Sequence, residues 1–268
     1  MKIAFISDND PINRLVIDRI ADRFPPAVMF VIQWSGAKQP RSIFAKLADA
    51  WKLPGVWTRR RSESKRSQWL TGRVQVPVND KCYQQFVDPS ALNSEQVSAE
   101  LARQEIDLLI VCGAPILRKR IFELPKIATI NVHFGLCSAY RGQHTIFWPL
   151  LERQFDKVGA TVHLIDQGVN TGQVLIEHCP AIVSADHEFS LDLKMGNGLV
   201  DPVLEMLEAL DESAGRSLTG QTQTRTGKQI VDRDRGIWNS LRFELQRLVG
   251  RMRLPELPER VTRHYRIR

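Results

Sequence analysis

Residues 106–113 read Ile-Asp-Leu-Leu-Ile-Val-Cys-Gly, and their centre, Leu108 to Cys112, is apolar without a break. A short run that does not alternate with polar residues is buried on both faces, as in the middle of a parallel sheet covered by helices. Gly113 closes it. The neighbouring segments fit that setting. Residues 128–134, ATINVHF, form a second strand pattern downstream. Upstream, residues 94–104 read as a helix with Ser94 as its N-cap. Further back, IAFIS (3–7) and AVMFVIQ (27–33) are strand-like. Between them, 11–23 place Ile12, Leu15, Val16, Ile20 and Ala21 at helical spacing behind Pro11. This β-α-β opening predicts an α/β fold: an open, mostly parallel, Rossmann-like sheet. No GxGxxG follows the first strand, so a dinucleotide site is not expected there.

Later segments extend the pattern. Residues 73–77 read as a short strand, 144–155 as a helix that Pro149 kinks or breaks, and 159–165 and 173–183 as two further strands. Residues 188–211 read as a helix interrupted near Gly196 and Gly198. Residues 38–71 show no organisation from pattern alone. From 213 the composition turns to Ser, Thr, Gly and Gln, and 236–252 again read as a helix with Ile237, Leu241, Leu245 and Leu248 on one face. The division expected is residues 1–212 as the catalytic domain and 213–268 as a small helical and irregular C-terminal appendage.

The 268 residues are 43% hydrophobic and 25% charged, which is ordinary for a globular chain. No apolar run approaches the roughly 20 residues of a membrane span, so no membrane insertion is expected. The start reads as a first strand and not as a signal peptide. Cys82, Cys112, Cys137 and Cys179 are scattered with no CxxC pair, so neither zinc nor any other metal is expected. A reducing, cytoplasmic setting fits them. Net charge is +7, concentrated at Arg59, Arg60, Arg61, Lys65 and Arg66 and again in the C-terminal tail. Basic clusters attract phosphates, or are simply solvated faces.

The chemistry is concentrated in ATINVHFGLCSAYRGQHTIFWPLL, residues 128–151. In a strand, Asn131 and His133 share a face. They stand near the strand's C-terminal end, where open α/β sheets bind ligands. Asn131 can donate to a carbonyl oxygen as it becomes an oxyanion, and His133 can stabilise charge or move a proton. A strand-ending Asn and His bonded to nearby backbone is the plainer alternative. Tyr140, Arg141 and Gly142 follow in a polar turn. Asp166-Gln167-Gly168-Val169-Asn170-Thr171-Gly172 stand further on, and Gly113-Ala114-Pro115-Ile116-Leu117 form a short apolar loop suited to a flat ring system.

These pieces, in this order, resemble the formyltetrahydrofolate-dependent formyltransferases, a group that includes glycinamide ribonucleotide, methionyl-tRNA and sugar-nucleotide enzymes. The family pattern is Asn-x-His, then Tyr-Arg-Gly, then Asp-x-Gly-x-Asp-Thr-Gly. The resemblance spans about residues 100–185. It implies 10-formyltetrahydrofolate as formyl donor, with Gly113 to Leu117, Asp166 and Gly168 on the donor. It implies Asn131 and His133 as catalytic residues and Tyr140, Arg141 and Gly142 on the acceptor. The family's catalytic Asp falls on Asn170, whose amide cannot carry charge; Asp166 is the nearby carboxylate that could substitute. The loop 134–139 also lacks the Pro found in many members.

The resemblance implies an N-formyltransferase acting on a primary amine. The methionyl-tRNA enzymes continue into a β-barrel, for which 213–268 look too short and too helical. The purine enzymes carry a glycine-rich loop where this chain has Ser7-Asp8-Asn9-Asp10. A nucleotide-linked amino sugar is therefore the acceptor expected, with the 59–66 cluster meeting its diphosphate; an ornithine derivative is another candidate. Nucleic acid is not expected as a partner, and a homodimer is compatible with the reading. The alternatives are a catalytically impaired folate- or nucleotide-binding homologue, motivated by Asn170, and a formyltetrahydrofolate hydrolase.

Overall fold

The computed structural model describes residues 1–33, 53–74, 84–213, 217–224, 227–250 and 252–268, with no side-chain description for 53–60. In chain order the elements are β1 (Ile3–Asp8), α1 (Pro11–Arg23), β2 (Val28–Ile32), α2 (Leu53–Leu70), β3 (Gln84–Val87), α3 (Glu95–Gln104), β4 (Leu108–Cys112), α4 (Lys119–Phe122), β5 (Ala128–His133), β6 (Tyr140–Gly142) and α5 (Phe147–Leu151). They continue with β7 (Ala160–Leu164), β8 (Val174–Cys179), α6 (Glu188–Glu212), β9 (Leu218–Thr219), β10 (Lys228–Ile230), α7 (Ile237–Leu248), β11 (Arg260–Arg263) and β12 (Arg266–Ile267).

Eight strands form one sheet in the order β11-β8-β7-β5-β4-β1-β2-β3. The five from β3 to β5 are parallel to their neighbours, as the apolar runs imply; β7, β8 and β11 are added antiparallel. Every residue of β2 and β4 is buried, because helices cover both faces of the sheet. One core lies under α1 and α6 and a second under α3 and α4. The chain order reverses between β4 and β1, which leaves a crevice beyond the C-terminal ends of those strands.

Capping places the first helices. The Asp10 side chain accepts from the Ile12 N–H, with Pro11 inside the first turn, and Ser94 accepts from the Val97 N–H. Helix α6 runs unbroken through Gly196 and Gly198, against expectation. Gly196 lies where α6 meets α1, and a Cβ there would stand 2.8 Å from Ile12 Cγ2, so the small residue serves close packing rather than a break. The helix expected over 144–155 shrinks to Phe147–Leu151 followed by a 3₁₀ turn at Phe155–Lys157. Arg73 and Val74 lie in a turn, and the rest of the strand expected at 73–77 lies outside the described residues, as does Cys82.

The C-terminal residues are woven into the main body. β11 pairs with β8 at the edge of the large sheet, and β10 pairs with β6 beside the crevice. Their strands are short and their composition is polar, so periodicity gives them no signal. Among the described residues no helix is long and apolar enough to cross a membrane.

Candidate active site

Strand register assembles the centre of the crevice. Asn131 lies opposite Val111 of β4 on one side and opposite His163 of β7 on the other. Along β5 the burial alternates, with Asn131 and His133 partly open while Ile130 and Val132 are buried. The two polar side chains therefore line the same cleft, whose volume is about 560 Å³. The 113–117 loop and the 165–170 segment form its other walls, and Gly142, Gln143 and Gln229 to Val231 close one side.

Four side chains form a connected set. Asn131 Nδ2 lies 3.1 Å from His163 Nε2, and His163 Nδ1 lies 2.8 Å from the Leu164 carbonyl oxygen. A carbonyl can only accept, so Nδ1 carries the His163 proton and Nε2 accepts from Asn131. Asn131 Nδ2 also points at Asn170 Oδ1 at 3.5 Å, while Asn170 Nδ2 lies 3.3 Å from His133 Nε2. The second imidazole thus also presents a bare Nε2 to an amide. Burial, with His163 adding to it, pulls the His133 pKa down to about 3. Burial also lowers that of His163. Both rings are neutral at physiological pH. The set holds donors, acceptors and proton-carrying nitrogens, with no fixed charge.

The surrounding loops are held by the chain's own polar groups. Gly113 has φ +75°, and a Cβ there would lie 2.1 Å from Asn13 Nδ2 and 2.8 Å from Asp8 Oδ1. Only glycine gives both the conformation and the space. Asn13 Nδ2 donates to Asp8 Oδ1 at 2.7 Å, and burial raises the Asp8 pKa. Asn93 brackets the apolar loop, donating to the Ile116 carbonyl and accepting from the Arg118 N–H. That leaves Ile116 71% exposed beside the cleft. In the other loop Asp166 Oδ1 accepts from the Gly168 N–H at 3.0 Å and from Thr171 Oγ1 at 2.7 Å. Asn170 adopts φ +54°, a conformation asparagine tolerates better than most residues.

Most of the residues singled out from sequence line this cleft: Asn131, His133, Asn170, Asp166, Gly168, Gly142 and the whole of Gly113, Ala114, Pro115, Ile116 and Leu117. Two do not. Tyr140 is buried, and its hydroxyl is engaged by Glu152 at 2.7 Å and Gln154 at 3.1 Å. Arg141 donates to the carbonyl oxygens of Gly227 and Val169 and so fastens the 166–172 loop from behind. The Tyr140 hydroxyl and the Nε and Nη1 of Arg141 are thus engaged by the chain itself. The residue that pattern reading missed is His163. Its signal in the sequence is only that of a second polar residue, after Thr161, inside a buried strand, and the β7 register is what sets it against Asn131.

A further cavity adjoins this one, and another adjoins that in turn. The first, near the end of β1, shares Asp8 with the cleft and collects Asp10, Arg66, His144, Glu188, Asp192 and Arg235. Arg66 is paired with both Asp10 and Asp192. The second shares Ser62, Phe147, Glu188, Phe189 and Arg235 with the first. It adds Trp69 and His187, whose rings meet edge to face at 4.9 Å, together with Arg61, Lys65 and Arg247. Among the described residues no cluster of three His, Cys, Asp or Glu side chains is arranged to hold a metal.

An open α/β sheet with an Asn-x-His strand at its reversal point and a glycine-containing loop bringing a second amide to the pair defines a class of group-transfer site. Residues 58–196 match the family model described as formyl transferase, and the chain belongs to that family. A methionyl-tRNA formyltransferase of Legionella pneumophila is 28% identical over 194 residues, which are 71% of this chain and 59% of that protein. The chain thus matches little more than half the length of that relative. Two solved structures share the fold. A 4-N formyltransferase from Francisella tularensis aligns with TM-score 0.55 and 13% identity, covering 85% of this chain and 76% of that one. A sugar N-formyltransferase from a Shewanella species aligns with TM-score 0.52 and 14% identity, covering 91% and 88%.

Proposed function

We propose that the chain transfers a formyl group from 10-formyltetrahydrofolate to a primary amine, and that the amine belongs to a nucleotide-linked amino sugar. The observation that carries the transfer step is the Asn131–His133–Asn170–His163 set at the cleft floor. Its far wall is the apolar loop Gly113 to Leu117. The cleft residues fit the donor: an apolar wall for a flat ring system meets a compact polar group where a formyl oxygen would be handled. The donor supplies an activated formyl carbon.

The chain's residues act on that carbon's oxygen and on the amine's proton. One hydrogen of Asn131 Nδ2 is used by His163; the other has only the long contact to Asn170, so a formyl oxygen can take it. As the amine adds, charge grows on that oxygen, and the amide donor opposes it in a partly buried site where such a bond is strong. His133, neutral, can accept at Nε2 the proton that the attacking nitrogen must lose, once its 3.3 Å contact with Asn170 Nδ2 gives way, and can return that proton to the folate nitrogen as the carbon–nitrogen bond to the donor breaks. Asn170 orients that ring without charging it.

The acceptor assignment is supported by the two adjoining cavities. The first is polar and charged and suits a hydroxyl-bearing ring. The second combines aromatic rings with Arg61, Lys65 and Arg247, the side chains that suit a nucleobase and phosphates. The acid Asp10 at the start of α1 and its partner Arg66 disfavour a phosphate there.

The second reading, a homologue that binds but does not transfer, is favoured by one feature: the lack of a charged partner for His133. A turnover assay separates the two. With 10-formyltetrahydrofolate and a panel of amino-sugar nucleotides, transfer to at least one supports the enzyme reading. Donor binding with no transfer to any amine supports the binder.

A further inference from the structure

Helix α7 has one face on the core and one in solvent. Phe243 is buried, its ring stacked on that of Phe147 at 4.8 Å. That contact fixes the rotation of the helix. The opposite side presents Trp238, Leu241, Leu245 and Leu248, continued by Val249, with exposures of 79, 50, 61, 76 and 58%. These are large apolar side chains at helical spacing, and Leu241, Leu245 and Leu248 belong to the face that the sequence pattern groups with Ile237. No described residue covers them.

We infer that this stripe is a self-association surface, on which two copies of the chain pair with their α7 helices antiparallel about a two-fold axis. The inference does not depend on the reaction proposed above. Three observations carry it. The first is area: the five exposed side chains leave roughly 600 Å² of apolar surface, at the top of the range for the largest patch on a monomer. Two such faces together reach about 1,200 Å², the lower bound of a specific interface. The second is symmetry. The spacing from Trp238 to Leu241, Leu245 and Leu248 is three, four, three. Turned end for end, that stripe lays Trp238 on Leu248 and Leu241 on Leu245, so an isologous contact buries apolar against apolar throughout. Antiparallel helices also oppose their dipoles. The third is the rim. Arg242 and Glu244 are exposed and, at helical spacing, flank the stripe on either side, giving the polar border that interfaces keep around an apolar centre.

The pairing would sit close to the reaction cleft along the chain. Strand β10 and Val231, which line the cleft, lead into α7 through a 3₁₀ turn at Asp232–Asp234. The stripe also touches the aromatic cavity at Leu241 alone.

Sedimentation velocity of the intact chain across about 1–100 μM is the test. The expected result is a concentration-dependent species of twice the chain mass. The double variant Leu245→Glu, Leu248→Glu should dissociate it, raising the dimer dissociation constant at least about 100-fold while the melting temperature of the monomer is retained. Neither residue lines a cavity, so formyl transfer per monomer is not expected to change. If the double variant folds poorly, Trp238→Glu, at the most exposed position, serves in its place. A wild-type chain that stays monomeric throughout the range, its stripe covered by another part of the same chain, would overturn the inference. So would a dimer whose dissociation constant is unmoved by both variants.

Discussion

The proposed donor side and the proposed acceptor side of the crevice are built from different materials. The set at the centre of the donor side is uncharged, two imidazoles and two amides beside an apolar loop, and the acidic groups in the lining are Asp8 and Asp166. The acceptor side is full of charge, with Arg66 tied to Asp10 and Asp192 and Arg235 tied to Glu188. A neutral, low-dielectric pocket strengthens each hydrogen bond to a developing oxyanion. A charged, ion-paired surface selects a polar partner and holds it in register. The contrast assigns chemistry to one half and selection to the other, and each prediction below acts on one half alone.

The largest effect falls on the donor side. Asn131→Ala removes the amide donor and should lower kcat by about 10²–10³-fold, the usual cost of losing one such donor. KM for the acceptor should move little. An equal loss in acceptor KM would mean that the two halves are not separate.

On the acceptor side, Trp69→Ala should raise the acceptor KM by about ten-fold or more, since base–aromatic stacking is worth about 1–3 kcal/mol. Donor binding, read by the quenching of intrinsic fluorescence or by calorimetry, should be unchanged. If the nucleotide portion binds elsewhere, Trp69→Ala will be silent.

Asn170→Asp sharpens the account of the neutral site. A carboxylate beside His133 Nε2 favours the imidazolium, so the His133 pKa rises from about 3. The protonated fraction then grows as pH falls through the new value. With neutral His133 taking the amine's proton, as proposed above, that protonated fraction is idle, and the ratio of variant to parent should fall from pH 9 towards pH 6, while the parent shows no ionisation of His133 in that range. A variant that instead exceeds the parent by roughly ten-fold, which corresponds to about 1.4 kcal/mol, would show that a charged His133 opposing the oxyanion outweighs the neutral base. If Asp166 has taken over the proton, Asn170→Asp will be neutral and Asp166→Asn will abolish activity. The hydrogen bonds from the Gly168 N–H and Thr171 Oγ1 to Asp166 make a structural loss the expected outcome for Asp166→Asn instead, visible as a lowered melting temperature.

The smallest effect is on stability. Gly113→Ala forces a Cβ into Asn13 and Asp8 at a positive φ, and should cost about 1 kcal/mol or more. Donor affinity should fall with it, because the loop that follows is part of the cleft.

The same division explains what could be read from sequence. The donor half is contiguous: β4 with its loop, β5, and the 166–172 turn each announce themselves within a few residues, by an unbroken apolar run, a period-two polar pair and paired glycines. Asn131 and His133 share a cleft because strand geometry requires it. The acceptor half is assembled from residues 8–10, 61–69, 144–147, 186–192 and 235–254, and no local pattern links them. Tyr140 and Arg141 show the converse. They sit in a motif beside the site, yet their polar atoms turn inward to Glu152, Gln154 and two main-chain carbonyls. His163 was hidden in a strand and became legible only through its register with Asn131. Helix α7 was legible as a periodic stripe, but the pattern could not say whether the apolar face points in or out. Phe243 on the opposite side decides that.

The central claim is that this neutral set of amides and imidazoles transfers formyl to an amine. It is tested most directly by mass spectrometry of single turnovers with 10-formyltetrahydrofolate, labelled with ¹³C at the formyl carbon, and a panel of amino-sugar nucleotides. The account predicts a labelled formamide on one acceptor, formed by the parent and suppressed at least about 100-fold in Asn131→Ala. Bound donor that never passes its label to an amine, or label released only as free formate, would contradict it.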